Sequence, residues 1–262
     1  MTRTLIDKIP GDLPEELQRF AEGAKIFDSS CSPEARVYFI DKDGGVYLKR
    51  AARGTLGREA EMTAYFHKKG LGAEVLYYNT GAECDWFMTR RVSGEDCTDG
   101  IYLENPKKLA ALLGEQLRAL HELSATDCPC KQRTEEYLAL ARKNYTTGNY
   151  DTSQFPDSFG YKSAEEARDV LSEGAHLLRS EVLVHGDYCL PNIMLDDWRL
   201  SGFIDLGNAG IADRHIDLFW GAWTLGFNLK HGSYEDIFFD AYGRDKVDKD
   251  ILKIIAAAEV FG

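Results

Sequence analysis

Alternating apolar and polar positions mark the first third of the chain. Ala35-Arg-Val-Tyr-Phe-Ile40 and Val46-Tyr-Leu-Lys49 are rich in β-branched and aromatic residues and flank the polar turn Asp41-Lys-Asp-Gly-Gly45, which predicts a β-hairpin over 35–49. The small polar segment Asp28-Ser-Ser-Cys-Ser-Pro33 ahead of it reads as a loop that could cover a ligand. Met62, Tyr65 and Phe66 then recur at helical spacing in 58–69, and Gly70 is a natural stop. Val75–Tyr78 and Trp86–Thr89 predict two further strands around Asn79-Thr-Gly81.

The period changes near Val92-Ser-Gly94. From Pro106 to Leu123 a stripe of Leu109, Leu112, Leu113, Leu117 and Leu120 predicts a helix. Further helical runs are expected over 134–143, 163–178, 215–227, 234–242 and 249–260, with 146–161 as a loop rich in Gly, Asp, Ser and Pro. No repeat or low-complexity tract interrupts the pattern. The expected organisation is α+β: a small antiparallel β-sheet lobe with one helix over 1–92, and a larger, mainly helical lobe over 93–262.

Composition narrows the options. A hydrophobic share of 44% and a charged share of 28% are those of an ordinary globular chain. The formal charge of -12 argues against nucleic acid as a partner, since phosphate binding needs clustered cations, and it is compatible with a cationic ligand as well as with plain solubility. No run of about 18 apolar residues is present, and charges occupy the N-terminal segment, so the expectation is a cytoplasmic protein with no membrane partner, acting as a monomer or weak dimer. In a reducing compartment the six cysteines read as free thiols, and Cys128-Pro-Cys130 lacks the second pair that a zinc site needs.

The chemistry is concentrated in Val182-Leu-Val-His-Gly-Asp-Tyr-Cys-Leu-Pro-Asn192 and Phe203-Ile-Asp-Leu-Gly207. Phosphoryl transfer requires a group that orients the hydroxyl and accepts its proton, oxygen ligands for Mg²⁺, and a cation on the nucleotide phosphates. Asp187 suits the first role; the amide oxygen of Asn192 and the carboxylate of Asp205 suit the second, because Mg²⁺ takes hard oxygens from a few protein groups and completes its shell with phosphate and water. Singly, each residue reads as an ordinary turn or cap. The ordered set points to catalysis.

Taken together, His185-Gly-Asp-Tyr-Cys-Leu-Pro-Asn192, Ile204-Asp-Leu-Gly207 and the extension through Gly210-Ile-Ala-Asp-Arg-His-Ile-Asp217 resemble the aminoglycoside 3'-phosphotransferases, relatives of the protein kinases. The resemblance spans nearly the whole chain and implies a protein-kinase-like two-lobe fold with ATP or GTP and Mg²⁺ as cofactors. It implies that Lys49 contacts the nucleotide phosphates and that Glu59 pairs with it. It also implies that Ser30 and Ser32 lie in the nucleotide-covering loop, although the protein-kinase glycine spacing is missing, and that Thr89 and Arg91 lie in the connector whose backbone meets the base. His185 resembles a loop-organising histidine and Asp217 a loop-bracing carboxylate, while His121 reads as a packed helix-end residue.

The short run between Asp205 and the next helix favours a small acceptor over a protein. Ala256-Ala-Ala-Glu259-Val-Phe261-Gly262 is similar to the family's acidic and aromatic terminal segment that contacts the drug, which implies Glu259, with Phe261 beside it, as the first candidate for binding a cationic aminoglycoside; Asp157, in the loop before the catalytic strands, is the second. Two departures stand out: Asn208 where an arginine often follows, and the aromatic run Phe219-Trp-Gly-Ala-Trp223-Thr-Leu-Gly-Phe227 where charged residues are usual. Trp220 and Trp223 read equally well as pocket or core residues. Three functions stay open: an aminoglycoside 3'-O-phosphotransferase conferring resistance, a kinase of the same fold for another small alcohol such as a sugar, amino alcohol or different antibiotic, and a non-catalytic nucleotide-binding module.

Overall fold

The computed structural model describes residues 3–11, 13–151, 159–230 and 234–262. The chain divides into two compact units, one formed by residues up to Gly94 with Ser201–Gly207, the other by Glu95–Leu200 with Asn208–Gly262. Ser201–Gly207, which the sequence assigns by position to the second lobe, therefore belongs with the first. Phe203 explains why: its N–H donates to Leu71 O at 2.8 Å and its ring meets Phe66 edge-on at 6.1 Å.

The first unit carries β1 (Thr4–Ile6), α1 (Glu15–Ala21), β2 (Lys25–Asp28), β3 (Ala35–Asp41), β4 (Val46–Ala52), α2 (Gly57–Lys68), β5 (Val75–Thr80) and β6 (Cys84–Arg90). The strands form an antiparallel sheet in the order β1-β2-β3-β4-β6-β5. Alternation sorts its two faces: Ile26, Tyr38, Ile40, Val46, Leu48, Trp86 and Met88 bury one face with Leu17 of α1, while Phe87 packs with Leu56 and Ala60 on the side of α2. The unit thus holds a second helix, α1, beyond the one expected from sequence. Gly45 closes the β3–β4 turn at φ +90°, where a Cβ would lie 2.7 Å from the Phe39 ring.

The second unit contains β7 (Glu95–Asp96), α3 (Gly100–Leu103), α4 (Pro106–His121), α5 (Arg133–Thr147), α6 (Ala164–Gly174), β8 (Val182–Val184), β9 (Ile193–Asp196), the start of β10 (Arg199–Phe203), β11 (Gly210–Ala212), α7 (His215–Leu229), α8 (Glu235–Tyr242) and α9 (Lys249–Glu259). β8 pairs antiparallel with β11, and β9 lies between β7 and β10. Asp197 and Trp198 make the two-residue β9–β10 turn with φ of 48° and 62°, the hairpin geometry that matches strand twist. Trp198 tolerates this conformation with its ring edge-on to Tyr102 at 5.1 Å and beneath the Lys108 ammonium at 3.9 Å. Helices approach closely where side chains are small: a Cβ on Gly114 would lie 2.3 Å from Phe238 O, and one on Gly174 would lie 2.4 Å from Ile254. No helix among the described residues is long and apolar enough to cross a membrane.

Candidate active site

In the second unit, the fully enclosed strand β8 delivers the chain into His185-Gly186-Asp187. Asp217, wholly buried on α7, holds that loop from below: Oδ2 accepts from His185 N–H and Oδ1 from Gly186 N–H, both at 2.7 Å. His121 Nε2 reaches the same Oδ2 at 3.2 Å, and its Nδ1 lies 2.9 Å from the Tyr242 hydroxyl. Burial pushes the His121 pKa down against the pull of Asp217, so the neutral ring donates from Nε2 and accepts the tyrosine hydroxyl at Nδ1. Gly186 has φ +82°, and a Cβ there would lie 2.1 Å from Asn208 O, so only glycine fits.

The Asp187 N–H donates to His185 Nδ1 at 3.2 Å, which makes His185 a loop organiser, fully buried. Asp187 itself is partly exposed, and its Oδ2 accepts from Asn192 Nδ2 at 2.8 Å. The same amide nitrogen donates to Asp187 O at 3.0 Å. Asn192 therefore spends its donor on orienting Asp187 and keeps its amide oxygen for another partner. Leu190 N–H donates to Thr224 Oγ1 at 3.2 Å, tying this loop to α7.

In the first unit, Lys49 Nζ lies 2.7 Å from Glu59 Oε2 and 2.9 Å from Asp205 Oδ1. Burial lowers the lysine pKa, and the two carboxylates reverse the shift and hold it above its ordinary value. Lys49 points to the α2 face because its register neighbours Val37 and Phe87 place it opposite the Leu48 face. Asp205 takes φ +59°, a conformation rare for a residue with a Cβ, and its side chain is 53% exposed. The exposed carboxylate of Asp205 is a hard oxygen of the kind Mg²⁺ takes from a few protein groups. In the second unit, the Asn192 amide oxygen, its nitrogen already engaged by Asp187, is a donor of the same hard kind. Among the described residues, no His, Cys, Asp and Glu side chains gather in threes as a metal cluster.

The nucleotide-loop candidates are ordered by local bonds. Ser30 Oγ accepts from Val37 N–H at 3.0 Å, Ser30 N–H donates to Asp28 Oδ1 at 2.9 Å, and Ser32 is exposed. These bonds from Ser30 hold Asp28 below the usual carboxylate range. Thr89 sits on β6 opposite Tyr47. Arg91 N–H already donates to Gly45 O at 3.0 Å, so a contact from its backbone to a base would have to come from the carbonyl.

At the end of α9, Glu259 Oε1 accepts from the Tyr137 hydroxyl at 2.8 Å and from Trp220 Nε1 at 3.0 Å. Burial, opposed by these two donors and reinforced by the nearby Asp187 charge, pushes its pKa up to about 7. The expected contact from Phe261 is corrected: the side chain is fully enclosed, edge-on to Tyr145 and Tyr150 at 5.3 Å each, and Asn144 Nδ2 donates to its carbonyl at 2.7 Å. It packs the core and offers no surface to a ligand. Asp157 lies outside the described residues.

Sequence reasoning missed Tyr137 and Arg133, both on α5. Arg133 donates from Nε to Asn208 O and from Nη2 to Asn208 Oδ1, each at 2.9 Å. A guanidinium thus reaches the position after Asp-Leu-Gly from another helix. Nothing in the helical spacing over 133–143 distinguishes these residues from ordinary core and surface positions.

A carboxylate oriented by an asparagine, a lysine flanked by two carboxylates, and a strand-rich unit followed by a helical one are the parts of a kinase-like phosphotransferase. The chain belongs to the phosphotransferase enzyme family, abbreviated APH, which residues 27–252 match. It is 50% identical over 249 residues to a Lactococcus lactis protein named "Probable aminoglycoside 3'-phosphotransferase", covering 95% of each chain. An aminoglycoside 3'-phosphotransferase of Niallia circulans is 29% identical over 207 residues, 79% of each chain. The fold is shared with the type VIII aminoglycoside-3'-phosphotransferase, at TM-score 0.76 and 24% identity over 92% of this chain and 94% of that one. It is shared also with a Streptomyces rimosus aminoglycoside phosphotransferase solved with ADP and streptomycin, at TM-score 0.73 and 24% identity over 86% of this chain and 90% of that one.

Proposed function

We propose that this chain transfers the γ-phosphate of ATP to the 3'-hydroxyl of an aminoglycoside and so confers resistance to the drug. The observation that carries the reading is the catalytic loop: Asp187 is aimed by Asn192, on a backbone pinned by buried Asp217, with the Glu259 carboxylate close enough to shift in response to its charge. The Lactococcus lactis relative at 50% identity, named as a probable aminoglycoside 3'-phosphotransferase, supports the same acceptor class.

Asp187 accepts the hydroxyl proton as the acceptor oxygen bonds to the γ-phosphorus, and the bond from that phosphorus to the β–γ bridging oxygen breaks to release ADP. Lys49 offsets phosphate charge, and Glu59 keeps its ammonium in place. Asn192 and Asp205 would each supply an oxygen to Mg²⁺, which would neutralise phosphate charge. Glu259 pairs with an ammonium group of the acceptor and fixes which hydroxyl meets Asp187. Ser30, Ser32 and the Thr89–Arg91 segment serve the nucleotide.

The test is ATP consumption by the purified protein with Mg²⁺ across 3'-hydroxyl aminoglycosides, 3'-deoxy aminoglycosides and simple sugars. Turnover confined to the first group is the expected result. Turnover with sugars or amino alcohols alone would leave a kinase and remove the drug from the account.

Glu259 adds a pH signature. Its folded pKa stands above the ordinary glutamate value, so the carboxylate charges as pH rises through about 7, and acceptor binding improves over that window. KM for a polycationic acceptor should fall by about 10-fold on crossing it, an ammonium–carboxylate hydrogen bond being worth roughly 1.5–3 kcal/mol. Glu259→Gln should flatten the profile. The stability linkage has the opposite sense: a raised acid pKa gives stability that is complete below about 4.5 and is lost as pH rises through about 7, so the glutamine variant should be relatively more stable at alkaline pH. Equal pH profiles for the two proteins would remove Glu259 from acceptor binding.

A further inference from the structure

On α7, the aromatic run resolves into a ladder. Trp220 and Trp223 meet edge-on at 5.3 Å, and Trp223 and Phe227 stack at 4.9 Å with their planes 13° apart. One end is fixed: Trp220 packs against the core of the unit and donates its indole N–H to Glu259. The other end is open, with Trp223 partly buried and Phe227 64% exposed. Thr224, on the same stretch of helix, accepts from Leu190 N–H in the catalytic loop, so the ladder runs outward beside that loop. At 1.5 Å per residue, Trp220 to Phe227 spans about 10 Å, room for more than one six-membered ring.

The outer ring of this stacked pair, Phe227, is exposed on a chain with net charge -12, where aromatic electrostatics favour cations, and Trp220, edge-on to Trp223 on the same helix, donates to the carboxylate that would hold one ammonium of the same ligand. Aminosugar rings present apolar C–H faces and carry ammonium groups, and both features suit such a surface. We propose that Trp223 and Phe227 form a stacking shelf for an outer aminosugar ring of the acceptor, beyond the ring engaged at Glu259. The proposal rests on the phosphotransferase reading and makes these two residues determinants of acceptor size. The shelf explains why a helix tied to the Asp187 loop carries an exposed phenylalanine stacked on a half-buried tryptophan.

The experiment compares steady-state kinetics of the full-length protein, Trp223→Ala and Phe227→Ala on kanamycin A, which has three rings, and on neamine, which lacks the outer ring of the larger drugs. The expected result is a KM for kanamycin A raised about 10-fold in each variant, with kcat and the KM for ATP within about twofold of wild type and the KM for neamine unchanged. Trp223→Phe should restore most of the loss, which a purely structural role at that position would not predict. Parallel shifts for both acceptors, or none, would overturn the shelf. So would sedimentation showing that Phe227→Ala breaks a dimer while KM stays constant. If Trp223→Ala fails to fold, Phe227→Ala carries the test from its exposed position. Wild-type turnover of neither drug would instead sink the aminoglycoside reading on which the shelf depends.

Discussion

Asp187→Asn should lower kcat by about 10²–10⁴-fold while leaving KM for ATP and the thermal midpoint close to wild type. The substitution is close to isosteric, and an asparagine oxygen can still accept from Asn192 Nδ2, which now bonds Oδ2 at 2.8 Å. The backbone bonds of the loop also survive, since the 187 N–H donates to His185 Nδ1 and the 187 carbonyl accepts from Asn192. What is lost is the negative charge and, with it, the capacity to take a proton. The measurement is single-turnover phosphorylation at saturating ATP and acceptor. A rate within threefold of wild type would remove Asp187 from the chemistry, and a collapse in thermal stability would recast it as a structural residue.

Asp217→Ala should produce the largest loss of stability. The side chain is completely buried and accepts from His185 N–H, Gly186 N–H and the His121 ring. Removing it strands these donors in a water-poor site, and an unsatisfied buried group costs roughly 1–3 kcal/mol. A total of about 3 kcal/mol or more is expected, a large share of the 5–15 kcal/mol that holds typical domains together. Activity should fall with it, because the Gly186 backbone, already confined at φ +82° against Asn208, positions Asp187 directly. Urea unfolding followed by circular dichroism reads the first effect, and kcat at a temperature where the variant stays folded reads the second. A midpoint shift equivalent to less than about 1 kcal/mol would show that water or a neighbouring side chain replaces the carboxylate.

The contacts of the loop from His185 to Asn192 were legible because they are local. The spacing from His185 to Asn192 sets which atoms can meet, and a few residues of turn suffice to bring the Asn192 amide onto Asp187. Lys49 and Glu59 were legible for a similar reason, a strand followed directly by a helix with the two charges ten positions apart. The hairpin over 35–49 and the helices from 106, 215 and 249 followed from strong periodicity and clear stops.

What escaped depended on tertiary contacts or on weak local signals. β1 is three residues long and α1 only seven, too short for either period to register, although Leu17 completes one face of the sheet. Phe261 sits in a terminal segment that looks solvent-facing by position, and only the closing of Tyr145 and Tyr150 around it makes it core. Tyr137 lies 122 residues from Glu259 in the chain, so their hydrogen bond has no sequence signature. Trp220 and Trp223 were ambiguous at spacing three. The structure separates them: one is committed to Glu259 and the core, the other stacks with an exposed phenylalanine.

The most direct measurement of the central claim is the position of phosphate on the product. Kanamycin A incubated with the protein, ATP and Mg²⁺, then examined by phosphorus–proton correlation NMR, should give one product with phosphorus coupled to the proton at C3'. Phosphate at another hydroxyl, or ADP formed with no phosphorylated drug, would contradict the account.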